Sequence, residues 1–252
     1  MRTLVQTTYE LTRAQLKARY RNTFAGLVWV ILNPLIMFGA QAIAFKHILK
    51  IDIHNYYLYL VCGLTPWIFL IMTIQMTTPV LLHSGSLLKS FKINPLVLIF
   101  SQVADNFLNF LLAFSIMYLP IQLMYSPPSW SIMLAIIPLV LLIVSVCAVC
   151  TILSLMQVFL RDTNYVVSFV TGVLFFVTPI FFSEDMVSEN YRWMFDFHLP
   201  YLYIKAFRSC FYEFNLDFFL LALSKASLST IFLVSIASWT WKRNKNELYL
   251  RI

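Results

Sequence analysis

The chain has 252 residues, of which 60% are hydrophobic, 17% aromatic and only 12% charged, and its formal net charge is +7. This composition lies outside the range of water-soluble globular domains and points to a protein folded in lipid. The basic residues are scattered over segments that flank apolar runs, so the positive balance argues against a nucleic-acid footprint. Cys62, Cys147, Cys150 and Cys210 mostly sit in apolar runs, where small-residue packing is the expected role rather than metal or redox chemistry. No linker, low-complexity tract or internal repeat divides the sequence, so residues 1–252 read as one transmembrane domain.

In chain order, residues 1–26 come first. At helical spacing Val5, Tyr9, Leu16, Tyr20 and Phe24 share a face, and Arg13, Lys17 and Arg21 form a ridge beside it. That pattern predicts an amphipathic helix lying in the cytoplasmic headgroup plane. Two roles fit the residues equally: a positive anchor on anionic lipid, or recognition of a phosphorylated lipid headgroup by Arg13, Lys17, Arg19 or Arg21.

Six apolar windows follow, over residues 27–45, 57–82, 96–125, 132–160, 166–182 and 218–241. Each is read as crossing a hydrocarbon layer about 30 Å thick at about 1.5 Å per residue. Asn33-Pro34, Thr65-Pro66 and Thr178-Pro179 put prolines inside spans, where kinks are expected. Lys and Arg fall twelve to one side and five to the other, with Lys225 inside the last span, so both termini are expected in the cytoplasm. Two embedded charges stand out: Asp105, with Gln102, Asn106 and Asn109 nearby for a polar network, and Lys225, placed to snorkel outward.

The connecting segments carry the rest. Between spans two and three, residues 83–95 are expected to form a short cytoplasmic helix, with Gly85 breaking the preceding one and Pro95 opening the next. Its apolar and basic residues, Ser86, Leu87, Leu88, Lys89, Phe91 and Lys92, suit docking against another protein or packing on the bilayer surface. In residues 160–165, Arg161 and Asp162 either pair, cap the next helix or simply stop two spans. The outer segment 183–217 is too polar to span, yet it is rich in aromatics that include Trp193, Tyr201 and Phe207. Leu199-Pro200 divides it into two short helices, read as a re-entrant gate or as interfacial anchors. Residues 242–252 form a basic cytoplasmic tail. The architecture expected is therefore all-α and polytopic: six transmembrane helices, one interface helix and two gate helices.

Several stretches in order along the chain resemble one family. They are Arg19 to Pro34 (RYRNTFAGLVWVILNP), Gly63-Leu-Thr-Pro-Trp67, Ser86-Leu-Leu-Lys89, Phe159-Leu-Arg-Asp-Thr163, Thr178-Pro-Ile-Phe181, Arg192-Trp193 and Ala206-Phe-Arg208. Together they are similar to the membrane subunits, or permeases, of type-2 ABC exporters for cell-surface polysaccharides of the O-antigen kind. A departure lies at His198-Leu-Pro200, where that family usually has Asn-Pro. The resemblance implies a homodimeric permease in the bacterial inner membrane, joined by two copies of a cytoplasmic ATP-binding cassette subunit. Its substrate would be a lipid-linked polysaccharide made for lipopolysaccharide biosynthesis. The 86–93 turn would serve as the coupling helix.

The residues are consistent with this division of labour. Five glycines offer no GxxxxGK(S/T) phosphate cradle, so ATP and Mg are expected on the partner and no cofactor on this chain. His47, His54, His83 and His198 are scattered and no acidic pair flanks a loop, so neither catalytic nor metal-ligating residues are assigned. An intramembrane polyprenyl-phosphate transferase is thereby disfavoured, and a permease for drugs or small lipids is the nearer alternative. For the glycan pathway, Phe169 and Phe176 share one face of the fifth span and Phe175 and Phe182 a neighbouring one. Aromatic walls hold sugar C–H faces by weak, repeated contact, which suits a moving polymer.

Overall fold

A computed structural model describes residues 4–20, 24–91, 93–125 and 130–251. Among them every regular element is helical. That is how a chain with this much apolar surface satisfies its backbone polar groups without water.

Helix α1 is Leu4–Tyr20, α2 Phe24–Ala42, α3 Tyr56–Thr77, α4 Val80–His83 and α5 Gly85–Phe91. Then come α6 Pro95–Tyr125, α7 Ile136–Phe159, α8 Thr163–Val177, α9 Glu189–Asp196, α10 Leu199–Phe211 and α11 Leu216–Arg251. A π-helical turn over Ile43–Ile48 prolongs α2, and a 3-10 turn over Trp130–Ala135 leads into α7.

Among the described residues, four helices are long and apolar enough to cross a membrane: α3, α6, α7 with its lead-in, and α11. Two differences from the sequence reading concern prolines. The second span is interrupted where Thr78 and Pro79 separate α3 from α4. The fifth ends at Val177, leaving α8 with 15 residues. Thr178 is extended, as a residue before proline prefers, and Pro179 to Phe182 turn back into the bundle instead of continuing the helix. Pro34 and Pro66, by contrast, are accommodated inside α2 and α3. At the far end α11 runs on as helix to Arg251, so residues 242–251 continue the last helix without a break.

Helix α3 is the axis of the fold. It packs against α2, α6, α7, α8 and α10, and its residues from Leu58 to Trp67 are buried without a gap. The other pillars are α7 against α11 and α6 against α1 and α7. Hydroxyl groups inside the bundle return to local carbonyls, as in Thr73 Oγ1 to Phe69 O at 2.6 Å and Thr230 Oγ1 to Ala226 O at 2.8 Å. A few bridge helices: Ser154 Oγ donates to Thr77 O at 2.8 Å, and Gln75 Nε2 donates to Thr171 Oγ1 at 3.1 Å. The four cysteines are free thiols.

Candidate functional site

The two ends of α3 carry the candidate surfaces. At 22 residues the helix is about 33 Å long, so a residue at Tyr56 and one beyond Thr77 lie at opposite ends of the molecule.

At the Thr77 end, α5 folds as a short helix against the bundle. Leu88 is completely buried with Leu81 in the main core, Leu87 is half-buried, and Ser86, Lys89 and Ser90 face out. The outward surface of the turn is therefore Ser86, Lys89 and Ser90, while Leu88 is a root that fixes it. Phe91's side chain and the whole of Lys92 lie outside the described residues. The neighbouring 160–163 turn is closed by a side chain the sequence did not single out. Gln157 Nε2 donates to Arg161 O at 2.9 Å, and Gln157 Oε1 accepts from Asn164 N–H at 2.7 Å. Arg161 and Asp162 are exposed, and the Asp162 side chain makes no capping bond.

Helix α1 packs along α6 through Leu11 and Thr12, whose hydroxyl reaches Ser101 O at 3.5 Å. Val5 and Tyr9 point away from protein, and Arg13 and Lys17 are exposed beside them. Arg19's side chain and Arg21 lie outside the described residues.

At the Tyr56 end, residues 178–212 are built into the molecule. The sequence suggested two comparable gate helices, but they differ. Helix α10 is a core helix: Tyr201 is 4% exposed and Phe207 1%, and Phe207 contacts the rings of Phe110, Phe114 and Phe211 at centroid separations of 6.2, 5.2 and 4.8 Å. Helix α9 lies outside, with Trp193 exposed and Phe195 its one buried residue. Lys225 does not snorkel into solvent alone; its Nζ pairs with Asp196 at 2.5 Å and ties α11 to α9. Asp105 is buried on α6, facing the interior.

Arg208 organises this end. Its side chain is 5% exposed, with Nη1 donating to Pro179 O at 3.0 Å and Nη2 to Ile180 O at 3.4 Å. The guanidinium lies 3.8 Å from the ring centroid of Tyr59, a cation–π contact in a desolvated setting. Space for it exists because residue 63 is glycine: a Cβ there would stand 2.0 Å from Nη2. Tyr59 Oη donates to Phe182 O at 2.8 Å and Tyr56 Oη to Phe181 O at 3.3 Å, so α3 holds the whole 179–182 turn. Sequence reasoning counted Arg208 only as a charge and a motif member. The missed signal was a cation within the apolar run from Tyr201 to Phe211, where a charge must find partners inside the protein.

His198 caps α10. Its Nδ1 accepts from Tyr201 N–H at 3.3 Å, and its Nε2 lies 3.2 Å from Thr178 Oγ1, which donates its own proton to Leu174 O. The ring therefore carries its proton on Nε2, and burial lowers its pKa below the ordinary value. A histidine performs here the N-cap task an asparagine would perform.

Helix α8 leaves Phe169 and Phe176 uncovered, 73% and 77% exposed. Phe175 and Phe182 are half-buried behind them, and Phe175 continues an aromatic layer through Phe181 (4.9 Å) to Phe45 (4.6 Å, stacked). The four phenylalanines thus divide into an exposed pair and a supporting pair. No group of three or more His, Cys, Asp or Glu suited to a metal occurs among the described residues.

Three curated proteins are similar to this chain along most of its length. An O-antigen export system permease protein RfbA of Myxococcus xanthus is 26% identical over 181 residues, 71% of this chain and 69% of that protein. Two proteins of the same description from Klebsiella pneumoniae are 25% identical over 210 residues (82% of this chain, 81% of that protein) and 26% over 186 (73% and 71%). The family model for the ABC-2 type transporter matches residues 6–212, from α1 through the α10 cap. With its long apolar helices and that match covering most of its length, the chain belongs to the ABC-2 type transporter family.

Proposed function

We propose that this chain is the membrane-spanning subunit of an ATP-driven exporter that carries a lipid-linked, O-antigen-like polysaccharide from the cytoplasm across the bacterial inner membrane. The observation that carries it is the co-linear similarity to O-antigen export permeases over 71 to 82% of the chain. The uncovered aromatic face of α8 supports it, because ring surface of this kind suits sugar rings passing by.

In this reading α2 and α8 join the four long helices as spans five and six in number, and both termini lie in the cytoplasm. Two copies of the chain face each other, with Phe169 and Phe176 toward the passage and Phe175 and Phe182 behind them. Two ATP-binding subunits, which hold ATP and Mg, dock on Ser86 and Lys89 of α5. Their closure moves α5, and Leu88 passes the displacement to α6, α7 and α3. Arg13 and Lys17 hold the headgroup end of the lipid carrier, and α9 with Trp193 forms the movable outer rim over a fixed α10.

The test is a deletion strain. Export of glycan requires that surface polysaccharide disappear while lipid-linked polymer accumulates inside, and that the plasmid-borne chain restore it. Unchanged surface glycan with altered drug sensitivity or lipid asymmetry would transfer the chain to the small-substrate permeases.

A further inference from the structure

A pocket of about 360 Å³ opens at the Tyr56 end between the 183–185 turn, α10 and the start of α11. It is separate from the α8 face, and its volume is in the range of small-molecule sites. Arg208 and Lys205 on α10 line it together with Glu184, Asp185 and Glu213, and Tyr212 and Phe218 add ring surface.

Its chemistry is specific. Lys205 Nζ is held by both oxygens of Glu184, at 2.7 and 2.8 Å, and sits 4.7 Å over the Phe218 ring. Behind this pair, Arg208 has spent its Nη groups on the 179 and 180 carbonyls, and its Nε is enclosed against α3 with no hydrogen-bond partner among the described residues. A buried donor with no partner is costly, and an arginine 95% buried does not withdraw to water. Arg208 also has no carboxylate partner among the described residues. An anion would meet three carboxylates in the lining, and a bare cation would meet Arg208 and Lys205. A neutral polyhydroxylated ring satisfies both: hydroxyl hydrogens go to the carboxylates, hydroxyl oxygens accept from Lys205, and a C–H face lies on Tyr212 or Phe218.

We infer that this pocket binds a neutral sugar unit on the face of the molecule opposite α5. Resting on the export reading, it would be a docking point for the emerging glycan, outside the passage itself. It is a second saccharide site, formed within one copy of the chain and complete without a partner.

The experiment is saturation-transfer NMR on the full chain in nanodiscs, with methyl glucoside and maltose as neutral probes and glucuronate and inorganic phosphate as charged ones. The neutral sugars should show ring-proton transfer. Glu184→Gln should weaken it about tenfold, the usual scale for losing one charge-assisted hydrogen bond. Glu213→Gln at the exposed rim does not disturb the buried Lys205 pair and should weaken it by less. Equal transfer in wild type and both pocket variants, no transfer at all, or displacement of the sugars by phosphate would overturn the assignment. If the sugars fail to bind while surface glycan still depends on the chain, the pocket falls and the export reading stands. If the deletion strain keeps its surface glycan, the export reading falls whatever the pocket binds.

Discussion

Helices α8 and α10 are alike in length and aromatic spacing and opposite in environment. Both are short, and both carry phenylalanines at helical spacing. Yet Phe207 on α10 is 1% exposed among three other aromatic rings, while Phe169 and Phe176 on α8 are more than 70% exposed. In lipid an apolar residue gains little by leaving the solvent for the core, so hydrophobicity does not decide which face turns inward. Polar anchors decide it. Helix α10 is held by Arg208 on the 179–180 carbonyls, Tyr203 on Ser229 and Thr230 of α11 (2.7 and 3.1 Å), Lys205 on Glu184, and the His198 cap. Along its aromatic stretch α8 is held more lightly, by the bond from Gln75 to Thr171, with Gln157 gripping only its first turn, and it turns its aromatic face outward.

The largest expected effect separates the two directly. Phe207→Ala removes a ring packed on all sides and should destabilise the chain by about 4 kcal/mol, whereas Phe176→Ala should cost less than about 0.5 kcal/mol. Thermal unfolding of the two variants in the same detergent checks the contrast, and equal losses would erase it. Next is Gly63→Ala, whose methyl needs the space of the Arg208 guanidinium. Displacing that buried charge from its carbonyls should cost about 3 kcal/mol, read as loss of monodisperse protein; normal yield and melting would mean that the clamp is dispensable.

How much of this was legible beforehand follows from the same contrast. Length and apolarity reveal spans, so α3, α6, α7 and α11 fall close to the expected windows. The boundary of α8 did not, because Thr178-Pro179 reads equally as a kink or an end until Tyr56 and Tyr59 are seen holding the turn that follows. The division of Phe169 and Phe176 from Phe175 and Phe182 was legible from spacing, but which pair is uncovered was not, since all lie in one apolar run. Lys205 meets Glu184 from 21 residues away and Arg208 meets the Pro179 carbonyl from 29, which no local pattern records. At α5 the pattern marked the right turn but mixed its root, Leu88, with its surface, Lys89.

A smaller effect sharpens the anchor on α10. His198→Ala removes the cap and should cost about 1 kcal/mol, while His198→Asn should restore most of it. Because burial lowers the folded-state pKa of His198, the unfolded chain takes up the proton first. Its contribution is therefore whole above the unfolded value of 6.5 and is lost as pH falls from there toward the folded one. Melting temperature against pH should show this slope in the wild type and not in His198→Asn. Smallest in stability, and largest in consequence, is Phe169→Leu with Phe176→Leu. Melting should stay within about 0.5 kcal/mol of wild type, while surface glycan appears more slowly; normal export would remove the aromatic face from the pathway.

The most direct measurement places a photo-crosslinking phenylalanine at position 176 or 207 in cells actively exporting glycan. An adduct of the polysaccharide at position 176 and none at position 207 is the expected result. Adducts of membrane lipid alone at position 176 would contradict the assignment of the α8 face to the translocation path.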